Sequence, residues 1–152
     1  IYRHYPNREA LLRAVAGQGR RELAELWNRR PKQENPRAEL RAVLNALLDF
    51  ALEQPQLYAL LHAEPLDVER EGGDFRSDDS PALEAVVAAI DEGMHVGMFV
   101  PDDVWEVALS IIALLHGLIS MQHAGRLGLS DPEFRVLCGT AMTRLLHGIA
   151  VP

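Results

Sequence analysis

The chain has 152 residues, of which 48% are hydrophobic and 24% are charged, so it can bury one core of ordinary composition. A single cysteine, Cys138, excludes an internal disulfide framework and a cysteine-based zinc site. The formal net charge of −7 argues at first against a nucleic-acid partner.

The charge is divided unevenly along the chain. Residues 1–37 carry nine basic and four acidic side chains, whereas residues 38–152 carry six and eighteen. A basic first quarter ahead of an acidic body is typical of a protein whose N-terminal end approaches phosphates. A solvated, arginine-rich helix face would give the same count, so both interpretations stay open at this point.

Two features bear on where the protein resides. The chain opens on Ile1 and has no basic segment followed by an apolar one, which predicts the C-terminal part of a longer cytoplasmic protein. Residues 107–125 lack charge and are long enough to raise the question of a membrane span. Five polar residues interrupt that run, which favours a buried helix and no membrane partner.

Apolar residues recur at the helical period almost throughout, which predicts an all-α fold. Asn7 is a predicted N-cap for a first helix that runs to about Arg30. Residues 31–36 break that helix. A second helix follows, with Pro36 in its first turn and a wide apolar stripe over residues 40–52.

The middle of the chain is predicted to hold two shorter helices and a loop. A helical piece is expected at residues 58–62, and the acidic segment 67–79 is expected to be an exposed, mobile loop. Ser80-Pro81 gives the cap and first turn of the next helix. Residues 93–101, which contain two glycines, are expected to interrupt it.

Two long helices, near residues 102–125 and 131–147, complete the prediction. The first is apolar nearly all round, which a helix on the surface of a small monomer cannot be. A second copy of the chain, packed as an isologous four-helix bundle, would cover it, although the acidic loop could do the same. The predicted homodimer interface consists of Leu118, Met121, Leu137, Ala141 and Leu145.

The opening residues IYRHYPNREALLRAV resemble the end of the helix-turn-helix in regulators of the tetracycline repressor (TetR) family. There a recognition helix ends in Tyr-x-x-Phe/Tyr, and a Pro-containing turn leads into a linker helix that starts with a basic-acidic pair and Leu-Leu. Residues 2–5, Pro6, Arg8-Glu9 and residues 11–12 take these places here. A weaker similarity is His116-Gly117, which resembles the centre of a TetR C-terminal domain type with a Trp-His-Gly triplet.

This resemblance implies two domains and a DNA contact. Residues 1–32 would end the helix-turn-helix domain and form the linker helix, and residues 33–152 would bind a ligand and dimerise. Tyr2, His4 and Arg8 match positions that touch the DNA backbone, and their hydroxyl, imidazole and guanidinium groups all donate to phosphate. The base-reading residues would precede Ile1.

The resemblance also implies a function, that of a repressor. Such a regulator releases a palindromic operator when a small, largely apolar effector enters a pocket in the C-terminal domain. Aromatic and methionine side chains suit such a pocket, although each of them would equally fill a core. The expected lining residues are Phe50, Tyr58, Met94, Met98, Phe99, Trp105, Leu109 and His116.

Other functions receive less support from the sequence. The histidines show no ligand spacing, so no metal or other cofactor is expected, although His116 and His123 share a helix face with Ser120. Nucleophile motifs and phosphate-binding loops are absent, which argues against an enzyme. A helical interaction module without an effector would explain the apolar helices, but not the resemblance at residues 2–12.

Overall fold

A computed structural model describes residues 4–63 and 80–152 of the chain. The predicted all-α fold is confirmed: six helices occur in these ranges, and the one extended pairing among them is an isolated bridge between Phe99 and Ala150. The predicted loop at residues 67–79 lies outside the described residues. The helices are α1 (Arg8–Asn28), α2 (Pro36–Glu53), α3 (Pro55–Ala63), α4 (Pro81–His95), α5 (Val104–His123) and α6 (Asp131–Ile149).

The predicted starts of five helices are confirmed by hydrogen bonds that cap them, whereas α3 begins at Pro55, ahead of the predicted segment 58–62. A side-chain oxygen of the preceding residue accepts a backbone N–H of the first turn, which satisfies a donor that has no partner inside the helix. At α6 the carboxylate of Glu133 accepts both the N–H and the hydroxyl of Ser130. The capping residues of α1, α2, α4 and α5 are Asn7, Asn35, Ser80 and Asp103.

The core is built around α2, α4 and α5. Helix α4 packs against both α2 and α5, and α6 covers a further side of α5. Helix α1 lies on α3, where Gly19 allows close contact, because a Cβ atom there would stand 3.0 Å from a methyl group of Leu57. The largest fully buried side chains include Leu48, Ile90 and Leu115, one from each central helix.

The interruption predicted at residues 93–101 begins later than expected, because α4 continues to His95. Gly93 belongs to the helix, and its missing side chain makes room for the ring of Phe99. A Cβ atom at Gly93 would lie 2.2 Å from that ring. Gly97 then turns the chain with a φ of +73°, a conformation that glycine adopts without strain. Phe99 therefore closes the core at this end of the molecule.

Helix α5 is the one described helix that is long and apolar enough to cross a membrane, with a mean hydropathy of 1.8. It packs against α2, α4 and α6, as the core helix of a globular protein does. Its buried stripe runs from Val107 to Ile119. Only 33% of the apolar stretch of this helix is buried within the chain, so much of its apolar surface is not covered by the other helices.

An ion pair joins the end of α1 to the start of α2. The guanidinium of Arg30 donates to Glu39, and the second carboxylate oxygen accepts the backbone N–H of Gln33 at 3.0 Å. Both charged side chains are only 16% exposed. Burial alone would raise the pKa of Glu39, but these hydrogen bonds outweigh it and hold that pKa below its ordinary value.

Replacing Glu39 by glutamine is expected to lower the free energy of unfolding by about 1–3 kcal/mol, because a mostly buried guanidinium loses its charged partner. The pKa is depressed in the folded state, so the stabilisation is present above pH 4.5 and is lost as the pH falls below it. Urea unfolding at pH 7 measures the effect. The control is Glu25→Gln, which removes an exposed pair with Arg29. An equal loss in both variants would contradict this role.

Candidate functional site

An open cleft of about 480 Å³ lies between α3 and α5. This volume falls in the range of small-molecule sites, although the cleft is less enclosed than most of them. Helix α3 supplies one wall and one face of α5 the other. The lining residues are Tyr58, Ala59, His62, His116, Ser120 and His123, and the cleft is called the histidine cleft below.

Three hydrogen bonds fix the four lining rings. The Tyr58 hydroxyl bonds to Nδ1 of His116, which joins α3 to α5. His62 donates from Nδ1 to the carbonyl of Tyr58 at 2.7 Å, and His123 donates from Nε2 to the carbonyl of Ala51 at 2.9 Å. The ring positions are therefore set before any ligand arrives, which lowers the entropic cost of binding.

Ring contacts complete the arrangement. Tyr58 stacks on His62 with centroids 4.2 Å apart, and His62 meets His116 edge to face at 4.1 Å. The His123 ring meets the Tyr58 ring edge to face, with centroids 5.6 Å apart. The Phe50 ring also contacts the Tyr58 ring, with centroids 5.9 Å apart. The cleft thus offers aromatic faces together with polar ring edges, which suits a planar molecule that forms a few hydrogen bonds.

Burial controls the protonation of this cluster. Desolvation, with a smaller contribution from nearby His62, lowers the pKa of His116 to about 4. Burial raises the pKa of Tyr58, so its hydroxyl keeps the proton. Nδ1 of the neutral His116 accepts the hydrogen bond that the Tyr58 hydroxyl donates, so the ring carries its own proton on Nε2. The cleft therefore holds a neutral imidazole whose remaining ring group, the N–H at Nε2, is a hydrogen-bond donor.

The histidines invite comparison with a metal site. Within residues 4–63 and 80–152, no group of three or more His, Cys, Asp or Glu side chains is arranged to hold a metal ion. Nδ1 of His62 and Nδ1 of His116 already form hydrogen bonds to other protein groups. We assign no metal ion to the histidine cleft.

The sequence-predicted lining residues are only partly brought together. Tyr58 and His116 line the histidine cleft, and Phe50 contacts the Tyr58 ring without lining the cleft itself. Phe99 is fully buried, so it fills the core where the sequence suggested a pocket wall. Among the others, Met94 and Met98 pack half-buried against the core, Trp105 lines a shallow depression beside α4, and Leu109 is exposed on the outer side of α5.

Sequence reasoning left four lining residues out of the expected site, namely Ala59 and three polar residues. Ser120 and His123 follow His116 by four and seven positions, so the three share one face of α5. This helical spacing could have placed Ser120 and His123 in the site from the sequence alone. No such pattern marks His62, because it belongs to a different helix and only the packing of α3 against α5 brings it to the site. The cleft is consequently richer in imidazole than a largely apolar pocket would be.

The outer side of α5 carries an exposed apolar stripe. Leu109, Ala113, Gly117 and Met121 are spaced by four residues and all are exposed, with Leu109 at 38% and Met121 at 41%. A Cβ atom on Gly117 would meet nothing within 4 Å beyond the backbone of its own helix, so open space lies beside the glycine. Of the predicted interface residues, Leu118, Leu137, Ala141 and Leu145 are half-buried.

The N-terminal end presents its basic groups to solvent. His4 is exposed ahead of α1, and Arg8 is exposed as the first residue of that helix. The carboxylate of Glu9, next to Arg8, is held by Arg13 at 2.5 Å. Tyr2 lies outside the described residues. The described end of the chain thus offers an imidazole and a guanidinium beside a helix N-terminus, which favours anions.

Comparisons with known proteins agree with this architecture. The family described as tetracyclin repressor-like, C-terminal domain, matches residues 40–145. A solved structure of a protein with unknown function from Rhodococcus sp. RHA1 is similar to 97% of this chain and 77% of that chain, with a TM-score of 0.73 and 25% sequence identity. No curated protein gives a significant match.

Proposed function

Because this chain belongs to the tetracycline repressor-like (TetR) family, we propose that it is the effector-binding and dimerisation part of a cytoplasmic, DNA-binding transcriptional repressor. The observation that carries the proposal is the preorganised histidine cleft between α3 and α5. No catalytic role is proposed. The effector we infer is a small planar molecule with an apolar body and one or two hydrogen-bonding groups.

Helix α3 offers a route from the cleft to the DNA-binding end. Its Tyr58 and His62 line the cleft, and its Leu57 and Leu61 contact Gly19 of α1. Arg20 of α1 also donates to the carbonyl of Leu61 at 3.4 Å. An effector that displaces α3 by a small amount would therefore displace α1, the proposed linker helix.

The switch requires a difference in affinity between two conformations. The effector must bind the conformation that does not fit the operator more tightly, by about 1–3 kcal/mol for a typical coupling. Two DNA-binding ends, related by the two-fold axis of a dimer, would match a palindromic operator. A change of spacing between the two copies of α1 would then release the DNA.

Replacing Arg8 by alanine in the full-length protein is expected to weaken binding to operator and random DNA about equally. Arg8 is exposed at the start of α1 and would contact phosphate, so it positions the protein without reading sequence. The slope of log affinity against log salt should fall by about one counterion. Fluorescence anisotropy at several salt concentrations measures both effects. Arg29→Ala, at the opposite end of α1, is the control, and an unchanged salt slope for Arg8→Ala would count against the contact.

A further inference from the structure

A second cleft, of about 360 Å³, lies between α2 and α6 and is called the arginine cleft here. Arg37, Arg41, Arg135 and His147 are among its polar lining residues. Met142 belongs to its apolar floor, together with Leu44 and Leu146. Gly139 widens it, because a Cβ atom there would meet nothing within 4 Å.

The charges around this cleft are unbalanced. Arg135 is paired with Asp49 at 2.6 Å, but in the part of the chain that the structure describes neither Arg37 nor Arg41 has an ion-pair partner. Arg37 also stands in the first turn of α2, where the partial positive charge of the helix disfavours a cation. The body around it is acidic, with eighteen acidic and six basic residues after position 37. A bound anion would stabilise this local excess of positive charge.

The arginine cleft is remote from the proposed DNA contact. Helix α1 has 21 residues and therefore spans about 30 Å, and α2 begins after its far end. The cleft also lies away from the predicted dimer interface. Gly139 is two positions from both Leu137 and Ala141, which places it on nearly the opposite side of α6. Neither DNA nor the second subunit accounts for these arginines.

We propose that the arginine cleft binds a small amphipathic anion, with a carboxylate or phosphate headgroup on a short apolar body. Arg37 and Arg41 are one helical turn apart, and their guanidinium groups match the planar, bidentate geometry that carboxylate and phosphate accept. The apolar body would lie on Met142 and its neighbours. The volume suits a small molecule, whereas a folded protein partner needs about 1,200 Å² of interface. This site stands independently of the effector-controlled switch.

The four methionines allow the site of binding to be read directly by methyl NMR. Met142 lies in the arginine cleft, Met94 and Met98 lie near the end of α4, and Met121 lies on the α5 stripe. Titration with sodium octanoate is expected to shift the Met142 methyl signal saturably and to leave the other three in place. Octyl phosphate tests a phosphate headgroup in the same way. The probe that binds more tightly shows whether the cleft prefers a carboxylate or a phosphate. Acetate, inorganic phosphate and 1-octanol test each half of the ligand alone and should bind more weakly.

Two kinds of variant test the assignment. Arg37→Gln with Arg41→Gln is expected to weaken binding of the better probe at least about tenfold, because two charged hydrogen-bond donors are lost. Gly139→Leu should abolish binding by filling the cleft, and leucine is favoured in a helix over glycine. The controls are Arg144→Gln and Thr140→Leu, which change exposed residues of α6 outside the cleft.

Three results would overturn the proposal. The first is an unchanged Met142 signal with both probes at millimolar concentration. The second is equal affinity for 1-octanol and for the anions, since the arginines would then contribute nothing. The third is unchanged affinity in the double arginine variant or in Gly139→Leu, provided that circular dichroism shows the variant to be folded.

Discussion

Replacing Gly117 by arginine is expected to convert the proposed homodimer into a folded monomer. Gly117 lies in the exposed apolar stripe of α5, and a Cβ atom there would meet nothing within 4 Å beyond the backbone of its own helix. A long side chain at this position does not disturb the single chain, and arginine favours the helix by about 1 kcal/mol relative to glycine. Against a partner helix it would place a bulky, unpaired charge inside an apolar contact.

The loss of dimer affinity should exceed about 100-fold, which corresponds to burial of one unpaired charge. Multi-angle light scattering and sedimentation at micromolar concentration measure the oligomeric state, and thermal unfolding shows whether the chain still folds. The control is Ala88→Arg, which changes an exposed residue of α4 away from the stripe. An unchanged dimer in Gly117→Arg, or a monomeric parent protein, would contradict the proposed interface.

Acidification is expected to destabilise the effector-free protein between about pH 6.5 and pH 4, and His116 should account for much of the effect. The folded-state pKa of His116, about 4, lies below its ordinary value of 6.5. In that window His116 binds a proton in the unfolded chain and not in the folded chain, so the contribution of His116 to stability falls as the pH falls and levels off below pH 4. The effect is on the order of 1–3 kcal/mol, reduced by the partial solvent exposure of the cleft.

Protonation also breaks the hydrogen bond that joins α3 to α5. The Tyr58 hydroxyl can no longer donate to Nδ1, and the interaction with His62 disfavours the new charge on His116. Urea unfolding at several pH values measures the change. His116→Gln should flatten the curve in this window, whereas His95→Gln, on the exposed end of α4, should leave its shape unchanged. Parallel curves for the parent protein and His116→Gln would rule out this role for His116.

Most of the helices were predictable because they begin with a local signal. Asn7, Ser80-Pro81 and Ser130 mark helix starts through a side chain that caps the backbone, and the structure places helices there. The end of α4 was less predictable. Gly93 reads as a helix breaker, but it serves as a contact surface for Phe99, a residue six positions later. Only the packed chain shows which of these two uses of glycine applies.

The candidate site was predictable only in part. Tyr58 and His116 were expected as polar contacts of a pocket, and the structure brings them into a direct hydrogen bond. Phe99 was expected in the same pocket because soft and aromatic residues suit cavities and cores equally well. The complete burial of Phe99 shows that it is a core residue and not part of a pocket wall. The arginine cleft has no sequence signature, because its parts come from α2 and α6 and are nearly a hundred positions apart.

The coupling between the histidine cleft and DNA is tested most directly by operator release. A fluorescent operator is first selected from random duplexes and bound by the full-length protein. The complex is then titrated with a small molecule that raises the Tm of the protein. We expect the ligand to lower operator affinity about 5- to 150-fold. Ala59→Trp, which fills the cleft from α3, should bind operator normally and fail to respond. A ligand that stabilises the parent protein but leaves operator affinity unchanged, or that releases Ala59→Trp equally well, would contradict the account.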